Sequence, residues 1–254
     1  MMENKKSSNN LKRKILIGLA IILVGTLSWG ISWATYARPP LQEALDALES
    51  DELVEVSLEP WLVFDPTGGE ELTGLIFYPG GRIDPRGYSN MMREIAEAGY
   101  LVVVPSMPIN MAIFDSNAAE EIIEHFSGVE NWVIAGHSVG GTSAAIFTSN
   151  NPDMIDGLAI WASYPANSAD LSQMDLPVTM IYGELDEGVD KPVIDEKKVL
   201  LPADTVYLEI PGGDHHQFGT YLVDAGVDKS TTPRATQQEL IVQGTLDLLN
   251  TVSY

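Results

Sequence analysis

Four short stretches of this 254-residue chain carry side chains that could perform nucleophilic chemistry together. The first is Gly136-His137-Ser138-Val139-Gly140, at the seam between an apolar, strand-like run and a small-residue, helix-like one. Glycines two positions before and two after a serine suit a turn too tight for side chains, one that lifts the hydroxyl above a sheet edge. A helix starting there also aims its free N–H groups at any anion that develops nearby. Serine needs a base, and the chain has four histidines. His137 sits inside the turn and points away from its neighbour's hydroxyl, while His125 falls in an acidic amphipathic stretch and reads as surface. That leaves IPGGDHHQFG at 210–219, where Gly212 and Gly213 permit a sharp loop and either His215 or His216 is the base.

A base needs a carboxylate to fix its tautomer and stabilise the imidazolium. In MIYGELDEGVD a strand ends at Tyr182, Gly183 turns, and Asp186 follows three residues on. Asp186 is the expected partner; Glu184, Glu187 and Asp190 read as solvated. Charge on the substrate oxygen needs N–H donors: Val139, next to the serine, and Gly81 or Arg82 in PGGRID, where glycines let the backbone come close.

Other chemistries fit less well. A dinucleotide-binding Gly-x-Gly-x-x-Gly fails because Ser138 occupies its second glycine. Asp214-His215-His216 is a weak metal site, since adjacent residues project differently and no third ligand cluster is evident. The chain has no cysteine, which excludes a thiol nucleophile and a disulfide framework. The expectation is an enzyme needing no metal and no organic cofactor.

These stretches lie at the ends of a regular alternation. Apolar runs predict strands at 53–58, 61–64, 73–78, 100–104, 131–135, 156–161, 177–182 and 205–210. The later ones are almost wholly apolar, as in strands covered on both faces. Helices are predicted over 87–98, 117–127, after Ser138, over 191–199, and over 233–250, the last with Leu240, Ile241, Gly244 and Leu248 on one face. Alternating strands and helices argue for one α/β domain around a mostly parallel sheet of about eight strands, with helices on both faces. Nothing between 162 and 176 is long enough for a cap domain, so the site should be open. Met107, Pro108 and Tyr164, after two central strands, are the expected substrate-binding residues, with Pro165 beside them.

The remaining segments concern location. Residues 1–14 form a basic tail with Lys5, Lys6, Lys12, Arg13 and Lys14 against Glu3. Residues 15–37 carry no charged side chain, and as a helix would reach about 34 Å, enough for a bilayer core. The basic flank predicts a cytoplasmic N-terminus and a body outside. A cleaved signal is the rival, with small residues at Ser32-Trp33-Ala34 and Thr35-Tyr36-Ala37, but such apolar regions are usually shorter. Residues 38–50 read as a linker and 51–254 as the catalytic domain. From Arg38 onward there are 9 basic and 35 acidic residues, a balance that argues against nucleic-acid partners.

With these residues in view, the chain resembles the α/β-hydrolase superfamily. It is most similar to lidless bacterial hydrolases with an N-terminal membrane segment, related in outline to the dienelactone-hydrolase-like group. FYPGGRIDPRGY, AEAGYLVVVPSMPIN, GHSVGG, YGELD and GGDHHQFG carry the likeness, which covers about residues 50 to 250. The family order of serine, acid and histidine matches Ser138, Asp186 and His215. In such relatives the first histidine after the glycine pair is the base, which implies His215; His216 stands where a small residue is common. The resemblance implies hydrolysis of a small-molecule ester, thioester or lactone. A silent surface protein that uses the fold for binding is the alternative.

Overall fold

A computed structural model describes residues 3–68 and 72–253. Residues 1–2 of the expected basic tail and residue 254 of the expected catalytic domain lie outside the described residues. The chain divides into two compact units, Met1–Tyr36 and Ala37–Tyr254.

The first unit is one helix, α1 (Glu3–Thr35). Its window Leu16–Trp33 has a mean hydropathy of 1.9, long and apolar enough to cross a membrane by length and composition.

In the second unit, α2 (Gln42–Asp46), α3 (Ser89–Glu97), α4 (Ala118–His125), α5 (Val139–Asn150), α6 (Lys191–Lys197) and α7 (Arg234–Val252) accompany eight strands. The strands are β1 (Val54–Ser57), β2 (Leu62–Pro66), β3 (Thr73–Tyr78), β4 (Leu101–Val104), β5 (Asn131–His137), β6 (Gly157–Trp161), β7 (Val178–Gly183) and β8 (Val206–Ile210). They form one sheet in the order β1-β2-β4-β3-β5-β6-β7-β8, with β2 antiparallel to both of its neighbours, β1 and β4, and the other neighbouring pairs parallel.

The apolar runs work as they do because successive side chains alternate between two cores. Leu75, Phe77, Val133, Ala135, Ala159 and Trp161 pack on one face against Met91 and Ile95 of α3 and Ile241 and Leu249 of α7. Ile76, Tyr78, Ile134, Leu158 and Ile160 pack on the other against Ile122 of α4, Phe147 of α5 and Ile194 of α6. Every residue of β3 and β6 is therefore buried, and their carboxyl ends open onto one rim. The segment 162–177 between β6 and β7 holds no helix or strand, so the site has no cap among the described residues.

Three expectations need correction. Residues 38–50 are not a linker: Leu41 N–H donates to Thr220 O, Arg38 bridges to Ile83, and Ala44 is fully buried. Leu240 does not share the buried face of α7; it is 45% exposed, one position round the helix from fully buried Ile241. Pro233 precedes α7 as its N-cap residue.

Candidate active site

β5 runs directly into the turn, and Ser138 takes φ 55° and ψ −125° before α5 begins. A non-glycine residue held there stores on the order of 1–3 kcal/mol of backbone strain. Three hydrogen bonds hold it. Ser138 N–H donates to Trp161 O (2.9 Å), while Ser163 Oγ (2.6 Å) and Thr142 N–H (3.2 Å) donate to Ser138 O. The glycines are needed for close approach: a Cβ on Gly136 would strike the Gly140 backbone, and one on Gly140 would strike Tyr78 O. Although Ser138 is the N-cap of α5, its side chain makes no capping bond, so its hydroxyl is not spent on the helix.

Asp186 is 2% exposed on the loop after β7. Its Oδ1 accepts from Gly188 N–H (2.9 Å) and Val189 N–H (3.1 Å), and its Oδ2 meets His215 Nδ1 at 2.7 Å. One carboxylate thus orients itself on its own loop and holds the imidazole of another. The two loops are pinned together by Leu185 N–H to Gly213 O (2.8 Å) and Gly212 N–H to Glu184 Oε2 (2.8 Å). Gly212 sits at φ +65°, which lets the chain turn sharply into the histidines. The His215 ring lies 4.7 Å from that of His137, the residue before Ser138. Two of the acids read as solvated also have structural partners: exposed Glu184 as just described, and half-buried Asp190, whose side chain accepts from Val193 N–H to cap α6.

His216 is oriented too, its Nδ1 lying 2.9 Å from Asp214 Oδ1. The two imidazoles thus engage different carboxylates.

Gly81 and Val139 are neighbours, since a Cβ on Gly81 would lie 3.1 Å from Val139 Cγ1. Val139 opens α5, where backbone N–H groups lack helical acceptors, and Gly81 N–H has no acceptor among the described residues. Arg82 is different. Its N–H donates to Asn110 O (2.7 Å) and its carbonyl accepts from Arg38 N–H (2.7 Å), so its N–H is not available to a substrate oxygen. Met107 is also corrected: at 8% exposure it belongs to the core beneath the loop. Pro108 is exposed and Tyr164 half-buried, its carbonyl accepting from Thr142 Oγ1 (2.9 Å). Exposed Ile109, Ile113 and Phe114 lie on the same segment as Met111, whose Sδ is 2.9 Å from a Gly81 Cβ position.

Sequence reasoning missed the supports. Gln237 of α7 brackets the histidine loop, accepting from Asp214 N–H (3.0 Å) and donating to Asp214 O (2.8 Å). Gln238 donates to Gln217 O (3.3 Å). Both glutamines are buried, so only their position in a helix that also carries apolar core residues could have flagged them. Tyr88 Oη accepts from Gly80 N–H (3.0 Å) and meets His137 Nδ1 (2.9 Å). Burial, more than the nearby His215, holds His137 well below the usual histidine range and keeps it neutral.

A sequence profile described as "Alpha/beta hydrolase family" matches residues 74–239. The poly(3-hydroxyalkanoate) polymerase subunit PhaC of Haloferax mediterranei is 25% identical over 162 residues, 58% of this chain. The chain spans only 31% of that relative's length. Among solved structures, Est1E from Butyrivibrio proteoclasticus superposes with a TM-score of 0.54 at 12% identity, covering 78% of this chain and 99% of its own. MGS-MChE2, an alpha/beta hydrolase enzyme from the metagenome of sediments from the lagoon of Mar Chica, Morocco, gives 0.51 at 21%, covering 64% and 89%. These two likenesses establish the fold.

Proposed function

Because the chain belongs to the alpha/beta hydrolase family, we propose that this hydrolase is a serine esterase-like enzyme working through Ser138, His215 and Asp186. The observation that carries the reading is the Asp186–His215 bond at 2.7 Å, with the His215 ring 4.7 Å from that of His137, the residue before a strained serine whose hydroxyl caps nothing. His215 takes the proton from Ser138 as it attacks an acyl carbonyl. Asp186, itself fixed by two N–H donors, holds His215 with its proton on Nδ1, leaving Nε2 as the base. Gly81 and Val139 N–H groups receive the charge that develops on the carbonyl oxygen. Water, activated by the same histidine, then releases the acyl group. The exposed side chains of Ile109, Ile113 and Phe114 beside the Gly81 loop suit an apolar acyl portion, with Pro108 and Tyr164 along the rim.

The test is hydrolysis of a panel of p-nitrophenyl esters, a lactone and acyl thioesters by the wild type and Ser138→Ala. A 3-hydroxyacyl thioester belongs in the panel because of the partial likeness to a poly(3-hydroxyalkanoate) polymerase subunit. Turnover of at least one class, lost in Ser138→Ala, is expected; equal rates in the two proteins would overturn the reading.

The apolar helix α1 supports a membrane anchor with the catalytic unit outside the cytoplasm. Protease added to intact spheroplasts should then digest the catalytic unit. A mature protein beginning near Thr35 or Arg38 would make the helix a cleaved signal instead.

A further inference from the structure

We propose that Tyr88 and His137 form a buried positioning relay that locks the oxyanion loop after β3 to the loop carrying the base. This rests on the serine-hydrolase reading of the site. Both side chains are fully buried, on different elements, 49 residues apart in sequence. Hydrogen-bond accounting fixes the direction of the relay. Gly80 N–H can only donate, so Tyr88 Oη accepts from it at 3.0 Å. His137 Nδ1, at 2.9 Å, is the one acceptor for the phenol proton among the described residues, so Tyr88 donates to it and the proton of the neutral imidazole sits on Nε2.

Nε2 is buried and has no partner of full hydrogen-bond geometry. A backbone group of His215 also lies close to the His137 ring and favours its protonated form, an effect that burial outweighs. The His137 ring is wedged between the His215 ring (4.7 Å) and a parallel Phe218 ring (5.6 Å, 3° between planes). One line of contacts therefore runs from Gly80, next to the Gly81 donor, through Tyr88 and His137 to the base itself. A cost of about 1–3 kcal/mol for a buried polar atom left without a partner is hard to reconcile with space-filling alone. Neutrality matters as well: a cationic His137 at this distance would oppose the imidazolium that forms on His215 during acylation.

The experiment uses the full chain in detergent, with Tyr88→Phe, His137→Gln and the double variant. Cooperative melting is the folding control, and p-nitrophenyl acetate the substrate. Misplacing the oxyanion donor and base by a fraction of an ångström should lower kcat roughly 10–100-fold, with KM within about threefold. Both changes cut the same link, so the double variant should lose no more than the worse single one. Imidazole 15N spectra of histidine-labelled wild type should show one neutral ring protonated on Nε2, unchanged from about pH 5 to about pH 8. A folded Tyr88→Phe with wild-type kcat, or a loss confined to KM, would overturn the relay. So would a His137 proton on Nδ1, a readout independent of whether any variant folds. Fluorophosphonate labelling separates the two claims. Failure to label wild-type Ser138 removes the catalytic reading, whereas normal labelling with unaffected variants removes the relay alone.

Discussion

Asp186–His215 and Asp214–His216 are, taken locally, almost the same object. In each a carboxylate no more than 5% exposed meets an imidazole Nδ1, at 2.7 and 2.9 Å, and the two rings are 26% and 25% exposed. They differ in what the carboxylate belongs to. Asp186 lies 29 residues from its histidine on the loop of another strand, so its bond joins two loops at the sheet rim. Asp214 lies two residues from His216 and also accepts that residue's own N–H, a local turn that orients a ring without linking anything. His215 then lies against His137, the neighbour of Ser138, the proposed nucleophile. A histidine–carboxylate pair is therefore no signature of a base by itself; the placement of the pair relative to the serine decides its role.

The largest expected effect separates the two rings. Single-turnover acylation by a p-nitrophenyl ester should fall by about 10⁴–10⁶ in His215→Ala and by no more than about tenfold in His216→Ala. Near-normal acylation by a folded His215→Ala, with His216→Ala dead, would move the base one residue along. The acids come next. Asp186→Asn should cost about 10⁴ in kcat because it presents the wrong tautomer, while Asp214→Asn should cost about tenfold or less. Adding Asp186→Ala to His215→Ala should cost little more than the histidine change alone, which the same assay reads. Smaller again is the effect of the bracket beneath both pairs. Gln237→Leu leaves the buried Asp214 N–H without its partner and the Asp214 carbonyl with Gln217 N–H alone (3.2 Å), so it should lower stability by about 1–3 kcal/mol in urea melts and slow acylation about tenfold.

The pairs were legible to different degrees in the sequence. The eight strands and the serine turn could be read because their causes are local: contiguous apolar runs, and glycines that a tight turn requires. The pairing of Asp186 with His215 was anticipated from chain order, while the preference for His215 over His216 as the proposed base came from the resemblance to a known family. The supports could not. Tyr88, Ser163 and Gln237 act on residues 49, 25 and 23 positions away, and no short-range pattern encodes a contact at that distance. Arg82 was misjudged for the same reason, since its N–H is claimed by the carbonyl of Asn110 on a separate loop.

The smallest effect concerns pH. Burial lowers the folded-state pKa of His137, so its contribution to stability is present above the unfolded histidine value of about 6.5 and is lost as pH falls below it. One such group gives a slope of at most about 1.4 kcal/mol per pH unit. Denaturation of wild type and His137→Gln between about pH 7 and about pH 5 should show the slope reduced in the variant. Equal slopes would assign the acid sensitivity elsewhere.

The central claim is that Ser138, strained and uncapped between Gly136 and Gly140, is the nucleophile served by His215 rather than His216. Intact mass and peptide mapping after fluorophosphonate treatment test it most directly. A single adduct on the Ser138 peptide, absent from Ser138→Ala, slow in His215→Ala and rapid in His216→Ala, is the expected result. An adduct on another residue, or equal labelling of Ser138→Ala, would contradict it.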